Sequence, residues 1–400
     1  MRIIYIIGTY PRLTETFIDR EISTLEKLGA EIKLVSIRRP SGALSQDQIE
    51  LIERIQYLLP VNIISLFVGH LKYAVGHPRK YFGTLFYLIS RPHPSIRSRI
   101  KTFIHFGEGV YAAHLLRQVP FDHVHAHFMD RAATVALIIS RFLDVPYSLT
   151  AHASDIYVDP ILLPEKMAEA KFVATCTEYN KSHLEQFGEG LFNHKLFCIY
   201  HTLAVDEYNA QETRKSETFL MLSVGQLREK KGFYYLLLAC RILADRGYSF
   251  DCQIVGEGPQ REYLESRIRE LSLENLVQLC GALPHRQVIE KYQQASLFVL
   301  PAILASDGDR DGIPNVILEA MTMDLPVVST DHSAIPEVVE DGVNGLLVPP
   351  ADEHALAEAL EKLITNPDYA QELSSRGRKV VIDKFDPLTN SQLLLDRFSA

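Results

Sequence analysis

Four hundred residues exceed what one hydrophobic core usually spans, so two domains are expected, and a composition of 47% apolar and 23% charged residues excludes a disordered chain or a small disulfide-stapled one. A formal charge of −9, from 41 basic against 50 acidic residues, removes nucleic acid as the main partner, because duplex binding needs a basic footprint. The charge is segregated. Residues 54–107 contain no Asp or Glu and carry Arg54, Lys72, Arg79, Lys80, Arg91, Arg97, Arg99 and Lys101.

In chain order, residues 1–7 are apolar but give way to Gly8 and Pro11 too soon for the core of a signal peptide. Short β-branched runs at 2–7, 32–37, 123–127, 147–150, 172–175 and 195–200 read as strands separated by helical patterns. The basic segment 54–107 reads as a helical insertion. Its uncharged run 55–71 is short and broken by Pro60, Asn62 and His70, which argues against a membrane span. Aromatics such as Phe67, Phe82, Phe86 and Phe103 interleave with its cations, as in helices that lie in an anionic membrane interface; the alternative is a solvated basic face over buried aromatics.

A polar stretch at 206–217 reads as a linker, and a second set of strands follows at 219–224, 251–255, 277–279, 297–300, 326–329 and 345–348. The alternation predicts an α/β chain of two doubly wound parallel sheets: residues 1–205, then 206–386, with ligands in a cleft where the carboxyl ends of both sheets meet. The tail 387–400 carries Leu393, Leu394, Leu395 and Phe398 as an apolar face expected to pack back on the first domain.

The stretch 306–321 is the most informative. Pro314 suits a first helical position, so a helix is expected to start there, with Asp311 in the preceding loop and unpaired amides at Asn315 and Val316 available to an anion. Glu319 falls on the same helix face as Asn315 and is suited to accept hydrogen bonds from a sugar diol. Asp307, Asp309 and Asp311 mimic the start of a calcium loop, but the twelfth position is Leu318, so calcium is not expected and Asp307 and Asp309 read as solvated. His123, His125 and His127 alternate on one strand face without a further ligand evident nearby. The five cysteines form no C-x-x-C pair and read as small buried hydrophobes, so no metal site is expected.

Asp311 and Glu319, separated by seven residues, resemble the E-x7-E motif of retaining glycosyltransferases of family 4, with Asp in the first position. The likeness extends along the chain. The stretches 10–17 (YPRLTETF) and 125–128 (HAHF) resemble the exopolysaccharide, colanic-acid-type subgroup, and 150–155 (TAHASD) resembles the family's cleft histidine motif. Residues 224–232 (VGQLREKKG) resemble its phosphate-binding loop, and 255–259 and 341–348 complete the set in order.

The resemblance implies the GT-B fold, two Rossmann-like domains facing across a cleft, with the first binding acceptor and the second a nucleotide sugar. It implies that Glu319 binds the donor ribose, Asp311 lies near the transferred sugar, Lys231 contacts the diphosphate and His152 lies beside the reacting centre. Gly225, Gly256 and the backbone from Gly312 through Ile313, Pro314, Asn315 and Val316 would line the donor pocket, and Arg228 would stand in for a family arginine where this chain has Gln226. Gly8 and His127 would face the acceptor.

The implied reaction is metal-independent, retaining transfer of a hexose from a UDP-sugar to a lipid-linked saccharide by a cytoplasmic protein peripheral to the membrane. A sugar-nucleotide-binding scaffold without transfer activity, or an epimerase or phosphorylase of the same fold, are the alternatives.

Overall fold

The computed structural model describes residues 1–12, 15–42, 44–158, 160–203, 205–208 and 218–400. Residues 209–217 of the expected linker, and Leu13 and Thr14 of the 10–17 motif, lie outside them. The chain divides into two compact units, Met1–Thr202 with Pro387–Ala400, and Leu203–Asp386.

The first unit is built on seven parallel strands: β1 (Arg2–Thr9), β2 (Glu31–Arg38), β3 (Ile55–Tyr57), β4 (His123–His127), β5 (Tyr147–Ala151), β6 (Val173–Thr175) and β7 (Leu196–Cys198), in the order β3-β2-β1-β4-β5-β6-β7. The second has six, β8 (Leu220–Val224), β9 (Asp251–Val255), β10 (Val277–Gly281), β11 (Leu297–Leu300), β12 (Val327–Thr330) and β13 (Leu346–Val348), in the order β10-β9-β8-β11-β12-β13. Every pairing within these sheets is parallel. Strands covered by helices on both faces become near-continuous apolar runs, which is why β8, β11 and β12 are wholly buried and legible in the sequence.

The expected strands are present, and β3 is an addition. It is an edge strand of three residues whose register with Leu34 to Ser36 of β2 supplies its definition, and the insertion reading had assigned that stretch to helix. Three helices follow it: Ile63–Gly76, Pro78–Ser90 and Ile96–Leu116. The last overruns the expected end of the insertion because its C-terminal half is buried, with Val110, Ala112, Ala113 and Leu116 in the sheet's core. The insertion aromatics divide: Tyr73 and Phe106 are core residues, while Phe67, Phe82, Phe86 and Phe103 face outward.

The tail forms the helix Pro387–Ser399 against the first sheet. Leu394 and Phe398 are buried there with Tyr5, Ile7 and Phe172, Leu395 is half-buried, and Leu393 is exposed rather than part of the packing face. The Phe398 ring lies 5.1 Å from that of His123 and 5.2 Å from that of His125. This helix therefore seals the histidine face of β4 from water.

Candidate functional site

In each sheet the strand order reverses once, between β1 and β4 and between β8 and β11. Loops leaving the carboxyl ends of strands on either side of such a switch diverge and leave room for a ligand. In the second unit three loops meet there, following β8, β9 and β11.

Their backbones are packed too closely for side chains. Gly232 has φ +67°, and a Cβ on it would overlap the Pro301 carbonyl; Gly256 has φ +147°, and a Cβ on it would overlap the Gly225 carbonyl. The loops are tied by Leu227 N–H donating to Glu257 O at 2.9 Å and Ile303 N–H donating to Lys230 O at 2.9 Å. Gly256→Ala is expected to cost roughly 2–4 kcal/mol through clash and backbone strain. Thermal melts check this, and a loss below about 0.5 kcal/mol would contradict the close packing.

The charged centre of these loops is Asp311. Its Oδ2 lies 2.7 Å from Lys231 Nζ and its Oδ1 3.4 Å from Lys230 Nζ, and Lys230 also holds Asp309 at 3.0 Å. Burial would push the Asp311 carboxyl up, but the two ammonium groups outweigh it and hold the pKa below its ordinary value. The same carboxylates hold the Lys230 ammonium above its usual pKa against the effect of burial. Asp309 is thus an ion-pair partner rather than the solvated residue expected from the sequence. Asp307 is exposed and accepts from the Asp309 N–H at 2.9 Å.

The Lys231 stem lies over Gly225, within 3.3 Å of where a Cβ would stand, so the missing side chain admits the lysine. Arg228 and Gln226 are exposed on the same loop. Pro314 is the N-cap, and the helix runs Asn315–Thr322, one residue later than the expected start. The first-turn amides of Asn315 and Val316 have no partner within the helix, and Gly312 and Ile313 lead into it half-buried.

Glu319 lies one turn on. Buried Tyr292 donates to its Oε2 at 3.0 Å and approaches the Val316 carbonyl at 3.3 Å. Burial first, and then the Glu319 carboxylate, keep the Tyr292 hydroxyl protonated by raising its pKa well above the usual value. Sequence reasoning missed Tyr292. It precedes Glu319 by 27 residues on another helix, with no local signal linking them.

The first unit gathers a second constellation at the carboxyl ends of β4 to β7. His123, His125 and His127 are fully buried. His123 Nε2 and His125 Nδ1 share the Ser148 hydroxyl at 2.7 and 2.8 Å, and His125 Nε2 lies 3.0 Å from Thr150 Oγ1. His127 Nε2 lies 2.9 Å from Glu21 Oε1, which also accepts from Tyr5 Oη at 2.8 Å.

His152 is buried with both ring nitrogens engaged, Nε2 at 3.4 Å from His127 Nδ1 and Nδ1 at 3.5 Å from Cys176 Sγ. Cys176 Sγ is also 2.7 Å from His201 Nε2. Desolvation holds the imidazoles of His123 and His201 down to about 3, and those of His125 and His152 well below the usual value. Gly8, at the end of β1, has open space where a Cβ would be.

Two expectations from the sequence change here. Further ligand atoms do surround the histidine strand, and Cys176 belongs to a polar cluster, while Cys198 and Cys280 are half-buried and only Cys240 and Cys252 are the expected buried small residues.

Residues 204–380 match the family described as Glycosyl transferases group 1. The putative colanic acid biosynthesis glycosyltransferase WcaL of Salmonella typhimurium is 40% identical over 167 residues, 42% of this chain and 41% of that protein. The amylovoran biosynthesis glycosyltransferase AmsK of Erwinia amylovora is 43% identical over 143 residues, 36% of this chain and 35% of that protein. The matched stretches therefore span well under half the length of these curated relatives. Anabaena Alr3699/HepE, solved in complex with UDP, superposes with a TM-score of 0.74 over 100% of both chains at 16% identity. The chain has the GT-B fold of two parallel-sheet Rossmann-like domains.

Proposed function

We propose that this protein is a retaining glycosyltransferase that moves a hexose from a UDP-sugar to a lipid-linked or polysaccharide acceptor in exopolysaccharide assembly. The observation that carries the reading is the Lys231–Asp311 pair beside the open helix terminus at Asn315, at the switch between β8 and β11. The names of the relatives, and UDP bound to a protein of the same fold, support it.

With donor bound, Lys231 and the amides of Asn315 and Val316 take the diphosphate, and Glu319, oriented by Tyr292, accepts from the ribose hydroxyls. Asp311 fixes Lys231 and the loop that faces the sugar. The acceptor hydroxyl attacks the anomeric carbon from the side of the departing diphosphate. The bond from that carbon to the β-phosphate oxygen breaks, the new glycosidic bond forms, and the acceptor proton passes to the leaving UDP. The charges for this step come from lysine and backbone dipoles, so transfer draws on no metal.

Purified protein given UDP-sugars and membrane lipid-linked acceptors is expected to release UDP. Glu319→Gln is expected to weaken UDP binding by about tenfold, the worth of one charged hydrogen bond, whereas Asp311→Asn lowers turnover with a smaller effect on UDP. Release no greater than in the double variant overturns the proposal.

The acceptor side is proposed to work at an anionic membrane surface on the cytoplasmic face. No helix among the described residues is long and apolar enough to cross a membrane. The three insertion helices nevertheless expose Ile63, Ile64, Phe86 and Ile96 at 75, 76, 75 and 80%. Of the basic residues beside them, Lys80 pairs with Asp144 at 2.6 Å and Arg91 approaches Glu165 at 3.6 Å, but no ion pair among the described residues reaches Arg79, Arg97 or Arg99. Replacing those three arginines by alanine is expected to weaken binding to phosphatidylserine vesicles by about 100-fold, at about 1 kcal/mol each, with UDP affinity unchanged. Co-sedimentation tests it, and wild-type protein that ignores anionic vesicles refutes it.

A further inference from the structure

We propose that the N-terminal unit binds a zinc ion between His152, Cys176 and His201. His152 directly follows β5 and Cys176 directly follows β6, strands paired in the register Ala151 to Thr175, so the two side chains emerge side by side. His201 follows β7, the next strand, three residues beyond its end. One sheet edge thus presents all three donors, and the donor atoms lie within 4.8 Å of one another. Sγ stands 3.5 Å from His152 Nδ1 and 2.7 Å from His201 Nε2. Tetrahedral zinc, with bonds of about 2.0–2.1 Å to nitrogen and about 2.3 Å to sulfur, separates its donors by roughly 3.3–3.6 Å. Side-chain shifts of about 1 Å, small beside rotamer changes, convert the cluster into a site.

Hydrogen positions follow from the far end of the chain of contacts. The Glu21 carboxylate accepts from Tyr5 and from His127 Nε2, and the neutral tautomer of His127 that donates there has Nδ1 bare. His152 must then donate through Nε2, and its Nδ1 lone pair is aimed at Cys176. The Cys176 thiol also has Ala151 O at 3.5 Å. In either tautomer of His201, one thiol proton faces at least two acceptors, His152 Nδ1 and Ala151 O.

A cation in place of that proton meets the sulfur and both imidazoles at once. Glu21 and His127 form behind His152 the outer relay that typically orients a ligating histidine. The ring of Phe17 stacks on His201 at 4.0 Å and that of Phe128 lies 4.2 Å from His152, fixing both imidazoles. A small pocket lined by Phe17, Glu21, His201, Thr202, Asn390 and Leu394 lies on the His201 side.

Thiolate with two imidazoles suits zinc over magnesium, calcium or manganese. Binding exchanges one proton for one ion: the S–H bond breaks, the Zn–S bond forms, and the proton goes to the buffer. The ion clamps the ends of three neighbouring strands, two of them only three residues long.

Full-length protein stripped with chelator and titrated with Zn2+ alone is expected to bind one ion per chain with Kd below about 1 μM and to release one proton, measured by calorimetry in buffers of different ionisation enthalpy. Zinc is expected to raise Tm by about 5 °C or more. Co2+ in its place is expected to show a thiolate-to-metal absorption band, a readout that needs no variant. Cys176→Ser and His201→Gln are each expected to weaken zinc at least 100-fold, whereas Cys280→Ser in the other unit retains it. Absence of stoichiometric binding, a Co2+ spectrum without the thiolate band, or equal affinity in His201→Gln overturns the proposal.

Discussion

Metal-free protein is expected to lose stability in its N-terminal unit in mild acid, by at least about 1.4 kcal/mol per pH unit. His123, His125, His152 and His201 are neutral in the fold because burial depresses their pKa values, to about 3 for His123 and His201. Unfolded, each recovers a pKa near about 6.5. Between these values the unfolded chain binds more protons than the native one, so stability present above about pH 6.5 falls as the pH falls.

Asp155 runs the other way. Burial raises its carboxyl to about 8, against the hydrogen bonds from the Met129 and His152 amides, so acid favours its folded form by one proton. Glu15 and Asp19, also raised by burial, act with Asp155, whereas His70 and His114, lowered by burial, act with the four histidines; the histidines outnumber the carboxyls, so stability falls with pH by at least one net proton, about 1.4 kcal/mol per pH unit. Against domain stabilities of about 5–15 kcal/mol, a loss of that size is readily measured within a few pH units. Urea unfolding followed by circular dichroism across pH 7 to 4 measures the slope. A slope below one proton contradicts the neutral histidine ladder, and His201→Asn is expected to flatten it by about one.

Lys231→Ala is expected to weaken UDP binding by roughly 100-fold, a charge-assisted contact being worth about 1.5–3 kcal/mol. The same change leaves buried Asp311 with Lys230 alone, at 3.4 Å, so stability falls as well. These two effects separate in the double variant Lys231→Ala, Asp311→Ala. Removing the stranded carboxylate restores part of the thermal stability, while UDP affinity stays low because the cation that meets the diphosphate is gone. Lys230→Ala is expected to affect UDP less, since Lys231 keeps its 2.7 Å contact with Asp311. Calorimetric titration with UDP together with thermal melts tests all three. Unchanged UDP affinity in Lys231→Ala removes this lysine from the donor site.

Much of the fold was legible because buried parallel strands must be apolar along their whole length. The runs at 123–127, 251–255 and 297–300 match β4, β9 and β11 residue for residue. β4 was found although three of its five residues are histidine, because Val124 and Ala126 on its other face belong to the core. β3 escaped because three residues at a sheet edge carry no period of their own, and pairing with β2 defines them. In the candidate donor site, Pro314 and Glu319 were readable from the local chemistry of a helix start, and Lys231 from the resemblance of its loop. Tyr292 was not, nor was the engagement of Asp309 by Lys230, 79 residues apart in the chain.

By itself the sequence determined the α/β class, two parallel sheets, the basic insertion without acidic residues and the helix terminus after Asp311, because each rests on composition or on periodic runs read along the chain. Only the tertiary structure decided which side chains meet across strands. Parallel neighbours are joined by crossovers that place one residue beside another some two dozen positions away, as with His127 and His152, Cys176 and His201, or Ser148 and His125. No local rule relates such residues. Strand order and register bring the histidines together, and the helix Pro387–Ser399, arriving from the far end of the chain, covers His123 and His125.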